Sequence, residues 1–146
     1  MATRVATGHD LETARDLVAR CGLPTEDVRV APDACQLVWI ENDTVVGTVG
    51  YDLSGDLALI RSLAVEPRCR GRHLGHRLTT HAETRAAAAG ARRFVLLTEN
   101  ADALALACGY TAVSRCSLGE AAAAFRQFSA GCCAGARCYV KTATED

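Results

Sequence analysis

A basic turn that contains two glycines is the clearest place where residue types and spacing could do chemistry. It consists of Arg70, Gly71, Arg72, His73, Leu74, Gly75 and His76. Turn amides and the N-terminus of a following helix together attract anions, and the arginines add positive charge. We therefore predict an anion-binding site here, the alternative being a surface loop with solvated arginines. The absence of a following Gly-Lys-Ser/Thr argues against a nucleotide-binding P-loop.

Two consecutive polar residues interrupt an apolar run just before this turn. Arg61 and Ser62 lie within the run 57–65, which is otherwise apolar. Burying an arginine without a partner is costly, so an anionic group of a substrate is one candidate partner. A structural salt bridge is the other, and both remain open. We expect the strand to expose these two polar residues.

Cysteines form the next group with chemical potential. There are eight, at positions 21, 35, 69, 108, 116, 132, 133 and 138. Soft ions favour sulfur ligands, so Cys132, Cys133 and Cys138 could bind a soft metal or trivalent arsenic; a buried or disulfide-linked tail is the alternative. The start of the chain lacks a secretory signal pattern, so we expect a cytoplasmic protein with mostly reduced thiols.

The elements that position these residues follow from apolar periodicity and from turn signals. The patterns predict helices over 11–20, 74–89 and 101–108, and strands over 35–40, 44–51, 57–65, 94–98 and 110–114. Asp10 is the expected N-cap of the first helix, and Gly22 with Pro24 ends it. The first two strands should form an antiparallel hairpin, whereas the strands over 57–65 and 94–98 should be parallel, joined by the helix between them. We predict one α/β domain over 1–146, with a central mixed sheet flanked by helices.

Strand, basic turn and helix together resemble the GNAT superfamily of N-acetyltransferases. The family fingerprint, Arg/Gln-x-x-Gly-x-Gly/Ala, corresponds here to residues 70–75, and a later Asn-x-x-Ala block ending in Gly-Tyr corresponds to Asn100 through Tyr110. The resemblance implies that acetyl-CoA is the co-substrate. It assigns the pyrophosphate to residues 70–76, the pantetheine arm to Leu63, Ala64 and Val65, and adds Asn100 to the cofactor site.

Two departures from the family pattern bear on function. His73 occupies the position usually given to the first glycine of the fingerprint, so its Cβ must avoid the phosphate or its ring must help to bind it. Ala105 stands where many relatives have the tyrosine that protonates the departing thiolate. A backbone N–H near Val65 is then the hypothetical oxyanion donor, and Glu99 the hypothetical general base, unless Glu99 is only a solvent-facing carboxylate.

A closer resemblance is to the arsenic-resistance N-acetyltransferases. It is carried by Gly22-Leu23-Pro24-Thr25, by the run 59–65 and by the tail 128–138, although Cys133 and Gly135 depart from the family's tail. The resemblance implies acetylation of an amino acid or of an arsenic-containing analogue, with Arg61 and Ser62 at the substrate, and a homodimer. The alternative function is a non-catalytic module that binds arsenite or a soft metal through thiols.

Composition limits the classes of partner. The formal charge is -1 and aromatic residues make up 5% of the chain. No basic field or stacking platform for nucleic acid is therefore present, and no apolar stretch approaches the ~20 residues that span a bilayer. We expect a small-molecule partner and neither nucleic acid nor membrane.

Overall fold

The computed structural model describes residues 2–98, 100–129 and 136–143. Within these ranges seven strands form one sheet. The strands are β1 (Ala2–Val5), β2 (Ala34–Glu41), β3 (Thr44–Ser54), β4 (Leu57–Val65), β5 (Arg93–Thr98), β6 (Thr111–Val113) and β7 (Arg137–Thr142). The helices are α1 (Gly8–Arg20), α2 (Leu74–Ala88), α3 (Asp102–Ala107), α4 (Glu120–Ala123) and α5 (Arg126–Ser129).

The sheet is mixed, as predicted. Its strand order is β1-β2-β3-β4-β5-β7-β6. The pair β4–β5 is parallel, and the other neighbouring pairs are antiparallel. The predicted hairpin is confirmed: β2 and β3 are joined by Asn42 and Asp43, which both have positive φ, as a two-residue type I′ turn requires.

Helices cover both faces of this sheet, because alternate residues of a strand face opposite layers. Leu37 and Trp39 of β2 pack in one cluster with Leu78 of α2, while Val38 packs in another with Leu17 of α1. A third cluster joins Leu57 and Leu59 to Leu118, Ala122 and Phe125, so the C-terminal helices lie over the α1 face. The core is thus two layers of helix around one sheet.

Strand β4 carries a bulge that changes its pairing. Gly50 of β3 is opposite Arg61, but Thr48 is opposite Ala64, so β4 has one more residue than β3 between these pairs. Ser62 lies within the extra length and has φ of 55°. The expectation that Arg61 and Ser62 form an exposed step was wrong, since they are only 4% and 8% exposed.

Parallel pairing between β4 and β5 stops early. Only Leu57, Ala58 and Leu59 pair with β5, although both strands continue for several residues. Beyond Leu59 the two strands separate, and a gap opens between the carboxyl end of β4 and that of β5. In a parallel pair this end is where ligands usually bind.

The start of α1 differs from the prediction in a way that matters for stability. Asp10 is not the N-cap; Thr7 is, and the two residues form a capping box in which the Thr7 amide donates to Asp10 Oδ2 at 3.0 Å. Asp10 also pairs with Arg4 at 2.9 Å. The hydrogen bond from Arg4, more than any other contact, lowers the pKa of Asp10 to about 2.

The sequence patterns did not predict two of the strands, and the predicted pairing of a third strand was wrong. Strands β1 and β7 were not predicted, and β6 pairs antiparallel with β7 rather than parallel with β5. Long-range pairing decides such strands more than local pattern does. Among the described residues, no helix is long and apolar enough to cross a membrane.

Candidate active site

Two adjoining cavities lie along β4, and we name them for the elements that line them. The turn cavity, of about 580 Å³, has three walls: the end of β4, the turn that precedes α2, and helix α3. The strand cavity, of about 590 Å³, lies between the separated ends of β4 and β5. Both are lined by Cys21, Leu23, Leu63, Asn100 and Leu104. The cavities are therefore two parts of one groove.

Most residues of the predicted anion site line the turn cavity. They are Arg70, Gly71, His73, Leu74, Gly75 and His76. The side chain of His73 makes no capping hydrogen bond to the N-terminus of α2, so this residue leaves the first amides of the 15-residue helix uncapped. His73, the N-cap, has φ of 59°, the left-handed conformation that glycine adopts most readily. His73 therefore adopts a backbone conformation that favours glycine, the residue that the family pattern has at this position.

The two arginines of the turn have different positions. Arg70 donates from Nε to the Val65 carbonyl at 3.2 Å, and its Nη2 lies 3.4 Å from Cys21 Sγ. Arg72 instead pairs with Glu41 at 2.6 Å, and this hydrogen bond lowers the pKa of that carboxyl. Arg70 therefore lines the turn cavity, whereas the charge of Arg72 is directed towards Glu41. A role for Arg72 at a phosphate stays a prediction.

Gly75 keeps the groove open at the junction of the two cavities. A Cβ built on it would lie 3.8 Å from Leu63 and 3.9 Å from Leu104, which both line the groove. The space that a side chain would fill is thus left open. This is the arrangement expected where backbone approaches a ligand closely.

Strand β4 turns selected backbone groups towards the groove. The amide of Glu66 donates to the Val46 carbonyl on β3 at 2.8 Å. Because consecutive residues of an antiparallel strand address opposite neighbours, the N–H and C=O of Val65 face away from β3. The bond from Arg70 to the Val65 carbonyl agrees with this direction. By the same alternation Ala64 faces Thr48, its partner on β3.

Arg61 lies beneath the strand cavity with its charge already paired. Its side chain has 0% exposure, and Nη2 donates to Asp52 Oδ1 at 2.9 Å. Nη1 donates to Gln36 at 2.8 Å and lies 3.4 Å from Ser62 Oγ. This geometry is that of the structural salt bridge, one of the two alternatives that the sequence left open. Both Arg61 and Ser62 nevertheless line the cavity.

Of the remaining candidate site residues, Asn100 and Ala105 are described by the structure and Glu99 is not. Asn100 lines both cavities, and its amide donates to Thr98 Oγ1 at 3.3 Å. Ala105, at the position of the expected tyrosine, is 0% exposed. Glu99 lies outside the described residues, so its role as a base stays a prediction.

The tail cysteines are also only partly placed. Cys138 lies in β7 and is buried, and burial raises the pKa of its thiol above the usual value. Cys132 and Cys133 lie outside the described residues. In the part of the chain that the structure describes, no group of three or more His, Cys, Asp or Glu residues could hold a metal ion.

Sequence reasoning missed several residues that line the groove. Cys21 and Leu23 follow α1, and Leu104 lies on α3. Gln127 of α5 completes the wall of the strand cavity. Apolar periodicity indicates burial, but it does not show which elements meet across a cleft. The helix-ending Gly22 and Pro24, and the family resemblance over residues 22–25, marked the loop after α1 in advance, but not as a wall of the groove.

Comparisons with known proteins agree with this architecture. The family model "Acetyltransferase (GNAT) family" matches residues 7–110. Rv2747 from Mycobacterium tuberculosis, solved in complex with CoA, superimposes with a TM-score of 0.74 at 18% identity, covering 99% of this chain and 100% of that one. An aminoglycoside 6'-N-acetyltransferase complexed with coenzyme A gives a TM-score of 0.76 at 16% identity, with 100% of both chains covered.

Another similar structure is part of a longer protein. N-acetylglutamate synthase from Neisseria gonorrhoeae gives a TM-score of 0.79 at 17% identity, covering 99% of this chain but 35% of that one. A search of curated protein sequences gave no significant match. At these identities the solved structures establish the fold, while the family model matches well over half of the chain. The chain belongs to the GNAT family of acetyltransferases.

Proposed function

We propose that this acetyltransferase passes the acetyl group of acetyl-CoA to the amine of a small molecule. The observation that carries the proposal is the continuous groove, which joins an anion-binding turn to the gap between β4 and β5. A long cofactor with a phosphate-rich end and a reactive thioester end needs such a groove. The thioester would then lie where the two cavities meet.

The residues present fit CoA. The uncapped amides of α2 and the guanidinium of Arg70 suit a pyrophosphate, because both attract negative charge. Gly75 leaves the space that the pantetheine arm would occupy. The backbone of Val65 faces the groove and could pair with the amides of that arm, and Leu63 lines the same groove. The three similar structures described above were all solved with CoA, which supports this assignment.

Acetyl transfer requires a neutral amine beside the thioester, a donor to the carbonyl oxygen and a proton for the departing thiolate. In our proposal the N–H of Val65 supplies the donor. It is a backbone group, so its direction is fixed before the reaction. Glu99 would take the proton of the amine directly or through water. If Glu99→Gln leaves the rate of acetyl transfer and its pH dependence unchanged, Glu99 is not the general base.

For the acceptor we propose an amino acid or an arsenic-containing amino acid analogue. We also propose that the protein forms a homodimer. Support comes from the sequence resemblance around Gly22, Arg61 and Cys138 alone. The pairing of Arg61 with Asp52 weakens one part of this proposal, since a carboxylate or arsenic oxyanion would compete with a partner already present. Simple amines without a carboxylate therefore belong among the acceptors to be tested.

The thiol-module alternative has less support. A thiol binds a soft ion as thiolate, and the raised pKa of Cys138 favours the protonated form. This cysteine also packs in a core cluster with Leu59 and Val95. No described contact favours a thiol site, so we do not propose it as a second function.

The first experiment is a turnover assay. Purified protein and acetyl-CoA are mixed with amino acids, arsenic-bearing analogues, n-butylamine or benzylamine, while free CoA and acetylated product are measured. Arg70→Ala should weaken CoA binding about tenfold by removing a charge-assisted contact to phosphate. Arg68→Ala is the matched control, because Arg68 is exposed and outside the residues that line the turn cavity. Absence of CoA binding by the wild type would refute the proposed function.

A further inference from the structure

The wall of the strand cavity opposite β4 contains a glutamine whose role the acetyl-transfer scheme does not assign. Gln127 lines this cavity and is only 8% exposed. Its Nε2 donates to Asp27 Oδ2 at 3.2 Å. Among the residues that the structure describes, none donates to Gln127 Oε1. A buried amide is thus anchored at one end and left with an acceptor oxygen at the other.

Asp27 fixes which end of the amide is anchored. It has 0% exposure, and Arg29 Nη1 lies 3.6 Å from its Oδ1. An ionised carboxylate can only accept hydrogen bonds, so the amide nitrogen of Gln127 must face it. A rotation that exchanges the oxygen and nitrogen would bring the amide oxygen against the carboxylate. The oxygen is therefore the group that remains for a ligand in the cavity.

The same anchoring belongs to a longer chain of charged side chains. Asp52 accepts from Arg61 at 2.9 Å and lies 3.3 Å from Arg29, which in turn neighbours Asp27. Two cations alternate with two carboxylates along this path. It connects the floor of the strand cavity, at Arg61, with its wall, at Gln127. The position of the Gln127 amide thus depends on contacts that reach into the sheet.

We propose that Gln127 Oε1 accepts a hydrogen bond from the amine of the acceptor and so selects and positions it, with Asp27 as the positioning residue. This inference rests on the proposed function. A neutral amide oxygen binds an N–H without the strong preference for ammonium that a carboxylate would impose. The amine can then be held while it keeps the lone pair that attacks the thioester.

The test separates recognition from folding by measuring KM for each substrate. The probe is whichever of benzylamine, n-butylamine, an amino acid or an arsenic-bearing analogue the wild type acetylates fastest. Gln127→Met keeps the length of the side chain and removes the amide; it should raise the KM of that amine about tenfold, with the KM of acetyl-CoA unchanged. Glu120→Gln, an exposed position on α4, is the control and should change neither constant.

Asp27→Asn provides a second variant with a milder change. Asparagine can accept from or donate to Gln127, so both amide orientations become accessible. With about half of the molecules in the productive orientation, the KM of the amine should rise about twofold. This variant also keeps the test decisive if Gln127→Met does not fold.

The possible results give distinct conclusions. Equal changes in both KM values, or a loss of stability with unchanged KM values, would show a structural role and overturn the inference. Calorimetric binding of CoA by the wild type, with no binding or acetylation of any probe amine, would overturn the inference and leave cofactor binding intact. Failure to bind CoA would instead refute the proposed function, and the inference with it.

Discussion

Adding one methyl group at Gly50 should disrupt the buried ion pair beneath the strand cavity. Gly50 lies opposite Arg61 in the β3–β4 pair. A Cβ at this position would lie 2.2 Å from Arg61 Nη1 and 2.3 Å from Gln36 Oε1. Real Cβ contacts are essentially never so short, so in Gly50→Ala the guanidinium of Arg61 and the amide of Gln36 must shift, which disturbs the contact with Asp52.

The expected cost follows from what the guanidinium loses. Breaking a buried ion pair by displacing one partner costs about 3–5 kcal/mol, because a charge is left uncompensated. We expect the free energy of unfolding to fall by about 3 kcal/mol and Tm by about 10 °C for a domain of this size. Urea unfolding can be followed by the fluorescence of Trp39, the only tryptophan, which is 1% exposed.

Gly8→Ala is the matched control for this measurement. Gly8 is the first residue of α1, and nothing lies within 4 Å of a Cβ built on it. Alanine in a helix should leave the free energy of unfolding unchanged or raise it by up to about 1 kcal/mol. If Gly50→Ala proves as stable as Gly8→Ala, the close packing of Arg61 against Gly50 is refuted.

Three further predictions address the groove, its floor and the first helix. Gly75→Ala should raise the Kd of CoA about tenfold in calorimetry without lowering Tm, because the new Cβ meets only ordinary contacts at 3.8 Å and 3.9 Å but enters the groove; an unchanged Kd would place the cofactor elsewhere. Arg61→Lys should lower the free energy of unfolding and change the KM values of amine and acetyl-CoA by similar factors, since lysine cannot reproduce the contacts to Gln36 and Asp52; a selective rise in the KM of the amine would restore Arg61 as a substrate clamp. Asp10→Asn should cost about 1 kcal/mol at neutral pH through loss of the capping box and the bond from Arg4. Because the pKa of Asp10 is lowered from 3.8 to about 2, this stabilisation is present above the ordinary pKa and is lost as the pH falls through about 2; denaturation curves that keep a constant difference across that range would contradict the assignment.

Local chemistry determined much of the fold in advance. Strand β4 begins and ends where the apolar run does, at Leu57 and Val65, and α2 begins at the predicted Leu74. Pro67 and the glycines of the turn can be identified from sequence because their backbone preferences are local. The parallel relation of β4 and β5 also follows, since the connecting helix leaves little choice of topology.

Other features depend on contacts between distant parts of the chain. Strand β7 pairs with both β5 and β6, yet the sequence marked only its first two residues, as the end of the cysteine-bearing tail 128–138. The capping box of α1 depends on Thr7, which the pattern of apolar residues does not reveal. Pairing and burial are collective properties, so a local pattern cannot fix them.

The site shows the same division. The sequence by itself located the basic turn that lines the groove, because its glycines and charges lie within seven consecutive positions. Only the tertiary structure decided that Arg70 faces the groove while Arg72 faces Glu41, and that Arg61 meets Asp52. It also brought Gln127 and Asp27 together across 100 residues of sequence. Charge pairing depends on distances of a few ångströms, which are set by how the strands and helices pack rather than by the spacing of residues along the chain.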